Sequence, residues 1–292
     1  MHALRHEEFA TECLASCNGP FDGKWSKTMI GYGPEDSNFV LELTYTYSVK
    51  SYDVGNDLHF IKIKSRSAYN TLVENIQGNQ VDMRAIEVAS PGEGYRFLVV
   101  GEDAPSDVGP LTSICLNVTD IELSLAFWVD ILGFLEIDRG EGLVVLSCSA
   151  SSATLRLRQL THGEQLRRGN GFGRLALAVP AEELGVLQDR VKESGDSSGS
   201  GNNSGARGQV VTELVELETP GKASVTVVIL ADPDGHEVCL VGEEGFSRLS
   251  KVDENAPKLL GEAIAKDTSN DWFEKRAGKA TAGKSKATAV VT

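Results

Sequence analysis

Residues 230 to 241, LADPDGHEVCLV, read as the end of one strand, a tight turn and a second strand. Upstream of them, Val225, Val227 and Ile229 alternate with Thr226 and Val228. Pro233 presets the backbone angle of a turn, Asp232 and Asp234 can bond their own backbone, and Gly235 supplies a positive φ. Val238, Leu240 and Val241 then resume a strand. A hairpin of this kind closes many sheets, so its meaning depends on what precedes it.

What precedes it is a repeated unit. Residues 174–179 form a strand. Pro180 opens a helix with Glu182 and Glu183 favourably placed in its first turn. Leu184, Leu187 and Val191 make its apolar stripe, and Gly195 is expected to stop it. Strands around 210–215 and 223–231 and the hairpin complete the unit. Residues 55 onward show the same order. Gly55-Asn56 corresponds to Gly169-Asn170, and strand 58–63, helix 67–76, a strand around 81–88 and strand 95–100 follow. Self-similarity at this spacing is an architectural signal. A third copy starts at 111–118, where Thr119 and Glu122 suggest a capping box. Ile121, Leu125, Trp128 and Leu132 then fall at helical spacing, before strands 134–138, 143–148 and 153–159. A fourth copy is partial: strands 25–32 and 39–47 are present, while residues 1–10 read as the tail of a strand. The unit is β-α-β-β-β and the class is α+β. The expected domains are 1–100, N-terminally incomplete, and 111–245, with a flexible insertion at 194–208. A helical extension with a basic disordered tail follows at 246–292. Trp272-Phe273 is the expected docking anchor of that extension. Without a leading strand and helix, Leu41 and Leu43 would lie on an uncovered face beside an open edge, which predicts a less stable chain.

Composition narrows the function. The 292 residues carry a net charge of −14, which argues against nucleic-acid binding. No apolar run is long enough for a membrane span. The start, MHALRHEEF, lacks the apolar region of a secretory signal. Five cysteines (13, 17, 115, 148 and 239) are expected to be reduced thiols in the cytosol or an organelle matrix. Cys13 and Cys17 have no second pair at zinc spacing.

The DPDG hairpin, the paired units and the run GYGPEDSNFVLELTYTY, residues 31–47, together resemble the vicinal-oxygen-chelate superfamily, the glyoxalase I-like fold. That resemblance implies tandem glyoxalase-like domains and a divalent metal, zinc or nickel. Each unit would give one metal ligand, a His or Gln from its first strand or a Glu from its last, and the ligands would meet in a cup. Such an ion polarises vicinal oxygens, and a ligand Glu can act as the base. In this chain Glu42, in LELTY, matches the family's metal Glu. The next positions fall on Phe60, with His59 one residue off and expected on the opposite face, and on Leu98. The remaining four are Ser113, Arg156, Arg174 and Cys239, and two arginines repel a divalent cation. The plain alternative for Glu42 is a carboxylate paired with a base such as Lys62 or Arg156. His236 is read as support for the hairpin. Cys239 is either a thiolate or a small buried apolar group.

Two functions follow. One is a glyoxalase-fold protein without full metal-lyase activity that binds a small molecule or a protein partner, with no catalytic residue assigned. The other is a divalent-metal-dependent lyase or isomerase of lactoylglutathione lyase type, with Glu42 as metal ligand. The resemblance also raises a mitochondrial location beside the cytoplasmic one, with no targeting segment visible.

Overall fold

The computed structural model describes residues 1–11, 13, 15–75, 80–82, 84–92, 94–105, 109–149, 153–196, 207–217, 224–271 and 273. Most of the insertion, Trp272 of the expected anchor and the basic tail lie outside these residues.

The first three strands are β1 (His2–Phe9), β2 (Trp25–Gly31) and β3 (Leu41–Thr46). They form an antiparallel sheet in the order β1-β2-β3. Residues 1–10 are therefore not a leftover: β1 pairs with β2 along its length, from His2 opposite Gly31 to Phe9 opposite Trp25. Its charged residues hide the alternation, and only the neighbouring strand reveals it.

The second unit contains β4 (Leu58–Lys64), α1 (Arg66–Asn75), β5 (Gln80–Asp82), β6 (Ala85–Ala89) and β7 (Arg96–Val100). The single strand expected over 81–88 is thus a hairpin of two. The third unit contains β8 (Leu111–Val118), α2 (Ile121–Leu125), β9 (Leu135–Gly140), β10 (Leu143–Ser147) and β11 (Thr154–Gln159). Helix α2 runs on into a wider π-type turn over Ala126–Ile131. Its cap is Asp120 rather than Thr119: Asp120 Oδ1 accepts from the N–H groups of Glu122 (2.9 Å) and Leu123 (3.2 Å). Thr119 is occupied elsewhere, donating its hydroxyl to Asp234 (2.5 Å).

The fourth unit contains β12 (Arg174–Val179), α3 (Ala181–Asp196), β13 (Gln209–Leu217), β14 (Val225–Ala231) and β15 (Glu237–Gly242). Helix α3 passes through Gly195, whose cost of about 1 kcal/mol in a helix is too small to end it alone. The helical stretch after β15 is two helices, α4 (Glu243–Leu249) and α5 (Ala256–Lys266). They break where Pro257, at the first turn of α5, lacks the N–H that a continuous helix needs.

Each full unit orders its strands first, fourth, third, second, with the first and fourth parallel. Antiparallel pairing of β4 with β8 joins the second and third units into one sheet of eight strands, across the 101–110 linker. One apolar core joins the third unit to the fourth. Ile114, Leu116, Trp128, Leu146 and Leu157 belong to it on one side, and Leu184, Val191, Val228, Leu230 and Leu240 on the other.

Helix α5 packs on β1. Tyr45 of β3 bonds Asp267 (2.9 Å) and Ser269 (2.7 Å). The face expected to be bare is thus partly covered by the C-terminal helical segment, although Leu43 stays 50% exposed.

Cys13 and Cys17 form a disulfide, so these two are not free thiols as expected. Their Cα atoms are 5.4 Å apart, inside the range a disulfide spans, in a turn where Ser16 N–H bonds Cys13 O. Cys115 and Cys239 are free thiols.

Candidate functional site

The hairpin of residues 230–241 is a structural joint. Asp232 is buried and its carboxylate accepts from the N–H groups of Asp234 (3.0 Å) and His236 (2.8 Å) and from Trp128 Nε1 (3.0 Å). Gly235, at φ +81°, takes the left-handed turn position that a side chain disfavours. His236 is fully buried, and its Nε2 lies 2.8 Å from Asn117 O at the end of β8. As the sequence suggested, His236 supports the hairpin; the contact locks the fourth unit onto the third.

Strand alternation picks out two sheet faces, the places where the resemblance puts the cups. In the eight-stranded sheet, Ile61, Ile114, Leu116, Leu155 and Leu157 are buried. The alternate residues point to the other face. That face carries Phe60 and Lys62 from β4, Arg96 and Leu98 from β7, Ser113, Cys115 and Asn117 from β8, and Arg156 and Arg158 from β11. The register sets Lys62 beside both Leu98 and Ser113, Ser113 beside Thr154, and Cys115 beside Arg156. The positions expected at Phe60, Leu98, Ser113 and Arg156 therefore come together in one cup. Chain order had grouped Phe60 and Leu98 with Glu42. The β4–β8 pairing is what regroups them.

His59 also departs from expectation. A register shift between Leu58 and Phe60 marks a bulge in β4. A bulge breaks strict alternation and redirects a side chain. The His59 ring lies 5.1 Å from the Phe60 ring and contacts the Arg96 guanidinium. Burial, then Arg96 and Arg158, lower its proton affinity to a pKa of about 4, against a smaller opposing pull from Glu164. Burial also lowers the proton affinity of Lys62, and the Arg156 charge lowers it further. Burial pushes the Cys115 thiol up to about 12.

The second cup brings β2 and β3 toward β12 and β15. Glu42 sits opposite Met29 on β2, and Lys27 opposite Thr44. Burial pushes the Cys239 thiol up to about 11; Arg174 opposes this and Glu42 adds to it. Glu42 and Cys239 thus feel one another. Arg174 pairs with Glu237 at 3.2 Å and donates to Ala15 O (3.0 Å) and Ser16 O (2.9 Å). Lys27 pairs with Glu7 at 3.4 Å. Arg5 pairs with Glu35 at 3.2 Å, and burial raises the Glu35 carboxyl's proton affinity, with Glu42 adding to the effect. The bases suggested for Glu42, Lys62 and Arg156, lie in the other cup.

These donors do not fit a catalytic divalent ion. Among the described residues no three His, Cys, Asp or Glu side chains gather to hold a metal. Around Cys239 the nearest charged groups include the cation Arg174, already paired with Glu237, which opposes a divalent ion there. The eight-stranded cup offers Phe60 and Leu98, which have no donor, and Arg156, which is a cation. The basic cluster around Lys62 was missed in the sequence. Its signal was present in TLRLRQ, residues 154–159, where period two puts Arg156 and Arg158 on one face. A separate hollow of about 280 Å³ lies by α2, lined by Asp120, Glu122, Arg139 and Gln159 among others, apart from both cups.

β-α-β-β-β units of this strand order, with two joined through their first strands into one sheet, define a vicinal-oxygen-chelate fold of tandem glyoxalase type. Glyoxalase I from Zea mays shares that fold, with a TM-score of 0.62 and 22% identity over 84% of this chain and 86% of that one. Residues 120–249 match the family described as glyoxalase domain-containing protein 4-like, C-terminal domain. Glyoxalase domain-containing protein 4 of Mus musculus is 41% identical over 279 residues, covering 94% of this chain and 88% of that protein. A protein named glyoxalase 1 from Caenorhabditis briggsae is 43% identical over 273 residues, covering 94% and 90%. The chain belongs to the glyoxalase domain-containing protein 4 family.

Among the described residues no helix is long and apolar enough to cross a membrane.

Proposed function

We propose that this protein is a glyoxalase-fold binding protein without full metal-lyase competence, using its cups for a small molecule or a protein partner. One observation carries this reading. The strand positions that meet in the eight-stranded cup are Phe60, Leu98, Ser113 and Arg156, and no pair of them can share a divalent ion. In the other cup the charges that act on the buried thiol of Cys239 are Glu42 and the cation Arg174, which is paired with Glu237. A metal-activated reaction needs a stably held ion with an open coordination position. The test is turnover of the hemithioacetal of methylglyoxal and glutathione by the purified full chain with added Ni²⁺ or Zn²⁺. Turnover at the background rate is expected. Metal-dependent turnover that is lost in Glu42→Gln overturns the proposal.

The second reading, a divalent-metal-dependent lyase of lactoylglutathione lyase type, draws on Glu42 in its LELTY context and on the name of the nematode relative. Under that reading Glu42→Ala lowers both the metal content of the purified protein and its melting temperature in the presence of metal.

A further inference from the structure

In the eight-stranded cup, two cations face one another across a serine. Arg156 Nε donates to Ser113 Oγ at 3.1 Å, which fixes the guanidinium over β8. Ser113 is also the register partner of Lys62 on β4. Its own hydroxyl proton is committed to Thr154 O, 3.1 Å away. The serine is therefore a post that holds the arginine. Lys62 and Arg156 are both half-buried.

Among the described residues, neither pairs with a carboxylate. The neighbouring cations differ: Arg96 pairs with Glu87 at 3.2 Å, and Arg158 with Glu164 at 3.8 Å. Arg158 is further held by Asn117 Oδ1 at 2.8 Å. The polar wall is thus locked in place, while the central two cations make no ion pair; Glu102, itself paired with Lys64 at 2.7 Å, offsets the Lys62 charge only in part. Like charges brought together in a partly dry site repel, and a fold keeps such an arrangement at a cost unless something of opposite charge relieves it. A guanidinium anchored through Nε still presents its terminal N–H groups in the fork that matches a carboxylate or phosphate edge. Phe60 and Leu98 border the same spot and suit an apolar portion of a ligand.

We propose that the cup formed by β4, β7, β8 and β11 binds a small oxyanion, a carboxylate or phosphate group, between Lys62 and Arg156. This rests on the reading of the cups as binding surfaces and deepens it for one of them: a divalent cation is replaced there by fixed cationic side chains, and the sign of the ligand reverses. Arg96 and Arg158 are positioning residues that enclose the site. The acidic balance of the whole chain, −14, makes this local positive patch selective rather than part of a general affinity for anions.

The experiment is calorimetric titration of the full chain, in a chloride-based amine buffer, with inorganic phosphate in one arm and succinate in the other. Saturable one-site binding is expected in at least one arm, and the arm that binds identifies the class. Lys62→Gln and Arg156→Gln should each weaken it tenfold or more. Arg156→Lys, which keeps charge but loses the fork, should fall between. Lys27→Gln, in the other cup, should bind as the parent does. Because removing one of two repelling cations relieves strain, Lys62→Gln is expected to melt no lower than the parent without ligand. No saturable binding in either arm, or equal binding by both Gln variants and the parent, overturns this proposal. Hemithioacetal turnover tests the broader reading separately, so failure of one is distinguishable from failure of the other.

Discussion

Asp232 shows how much a single side chain in this fold is asked to do. It is 2% exposed, and it accepts from two backbone N–H groups and an indole N–H. Burial raises its proton affinity, against the pull of His236 and these donors. Removing it leaves several buried donors without a partner, each costly. Asp232→Ala is expected to lower stability by about 2–3 kcal/mol, and Trp128→Phe by roughly 1.5–3 kcal/mol, since a bond to a charged acceptor is lost. Urea midpoints check both; unchanged midpoints would show the hairpin is not held this way. His59 makes a pH prediction. Its folded pKa is lowered from 6.5 to about 4, chiefly by burial and then by Arg96 and Arg158. The folded state therefore prefers the neutral ring. Its contribution is complete above pH 6.5 and is lost as the pH falls toward about 4. Relative to His59→Gln, which does not titrate, the parent should lose stability across that window. His6, shifted in the same direction, remains in both proteins and cancels. A constant difference between the two denaturation curves from pH 7 to pH 4 would contradict the assignment.

Among elements, the repeat openings are the clearest case of sequence becoming structure. Gly55-Asn56 and Gly169-Asn170 were legible as matching starts, and in space they clasp one another. Asn56 N–H bonds Arg167 O at 2.9 Å, and Asn170 N–H bonds Asp53 O at 2.7 Å. A Cβ on Gly169 would sit 1.9 Å from Asp53 O, a backbone atom that cannot rotate away. Gly169→Ala should therefore lower stability by about 1–3 kcal/mol or more, read as a fall in melting temperature of several degrees. A variant that melts with the parent would mean the clasp is looser than the geometry shows. The apolar strands β8, β10, β14 and β15 were equally legible, because a short apolar run bounded by turn signals is a local property, and the first three are buried on nearly every residue. The failures share a cause. Strand β1 owes its form to β2, and the Thr119 hydroxyl is drawn from capping to Asp234, 115 residues away. Site positions could be read one by one from strand parity. Their grouping could not, because the β4–β8 pairing is non-local, and the bulge beside His59 defeats parity altogether.

For the whole molecule, the question is what holds the small β1–β2–β3 sheet to the rest. Its ties to the C-terminal segment are many: Asp253 N–H bonds Leu4 O at 2.8 Å, Arg5 donates to Leu249 O, and Tyr45 bonds Asp267 and Ser269. Ala256 and Ala263 are buried on the inner side of α5, where small side chains let the helix approach β1 closely. Helices α2 and α3, by contrast, share one core with the eight-stranded and four-stranded sheets. Stability should then be uneven. Elements with few buried apolar contacts open first, and the covered core opens last. Deleting residues 251–292 removes α5 and uncovers the first sheet without touching the common core. Amide exchange over residues 1–47 should speed up markedly in the truncated chain, while β8, β10 and β14 keep their protection. Uniform acceleration across all three sheets would show instead that α5 supports the whole molecule and that the first sheet is not a separately stabilised part. Unchanged exchange over 1–47 would show that β1 to β3 stand without it. The same variant bears on the two cups. The Lys62–Arg156 cup lies in the eight-stranded sheet and should keep its anion binding. The other cup, which includes Glu42 on β3, lies partly in the sheet that loses its cover and should loosen with it.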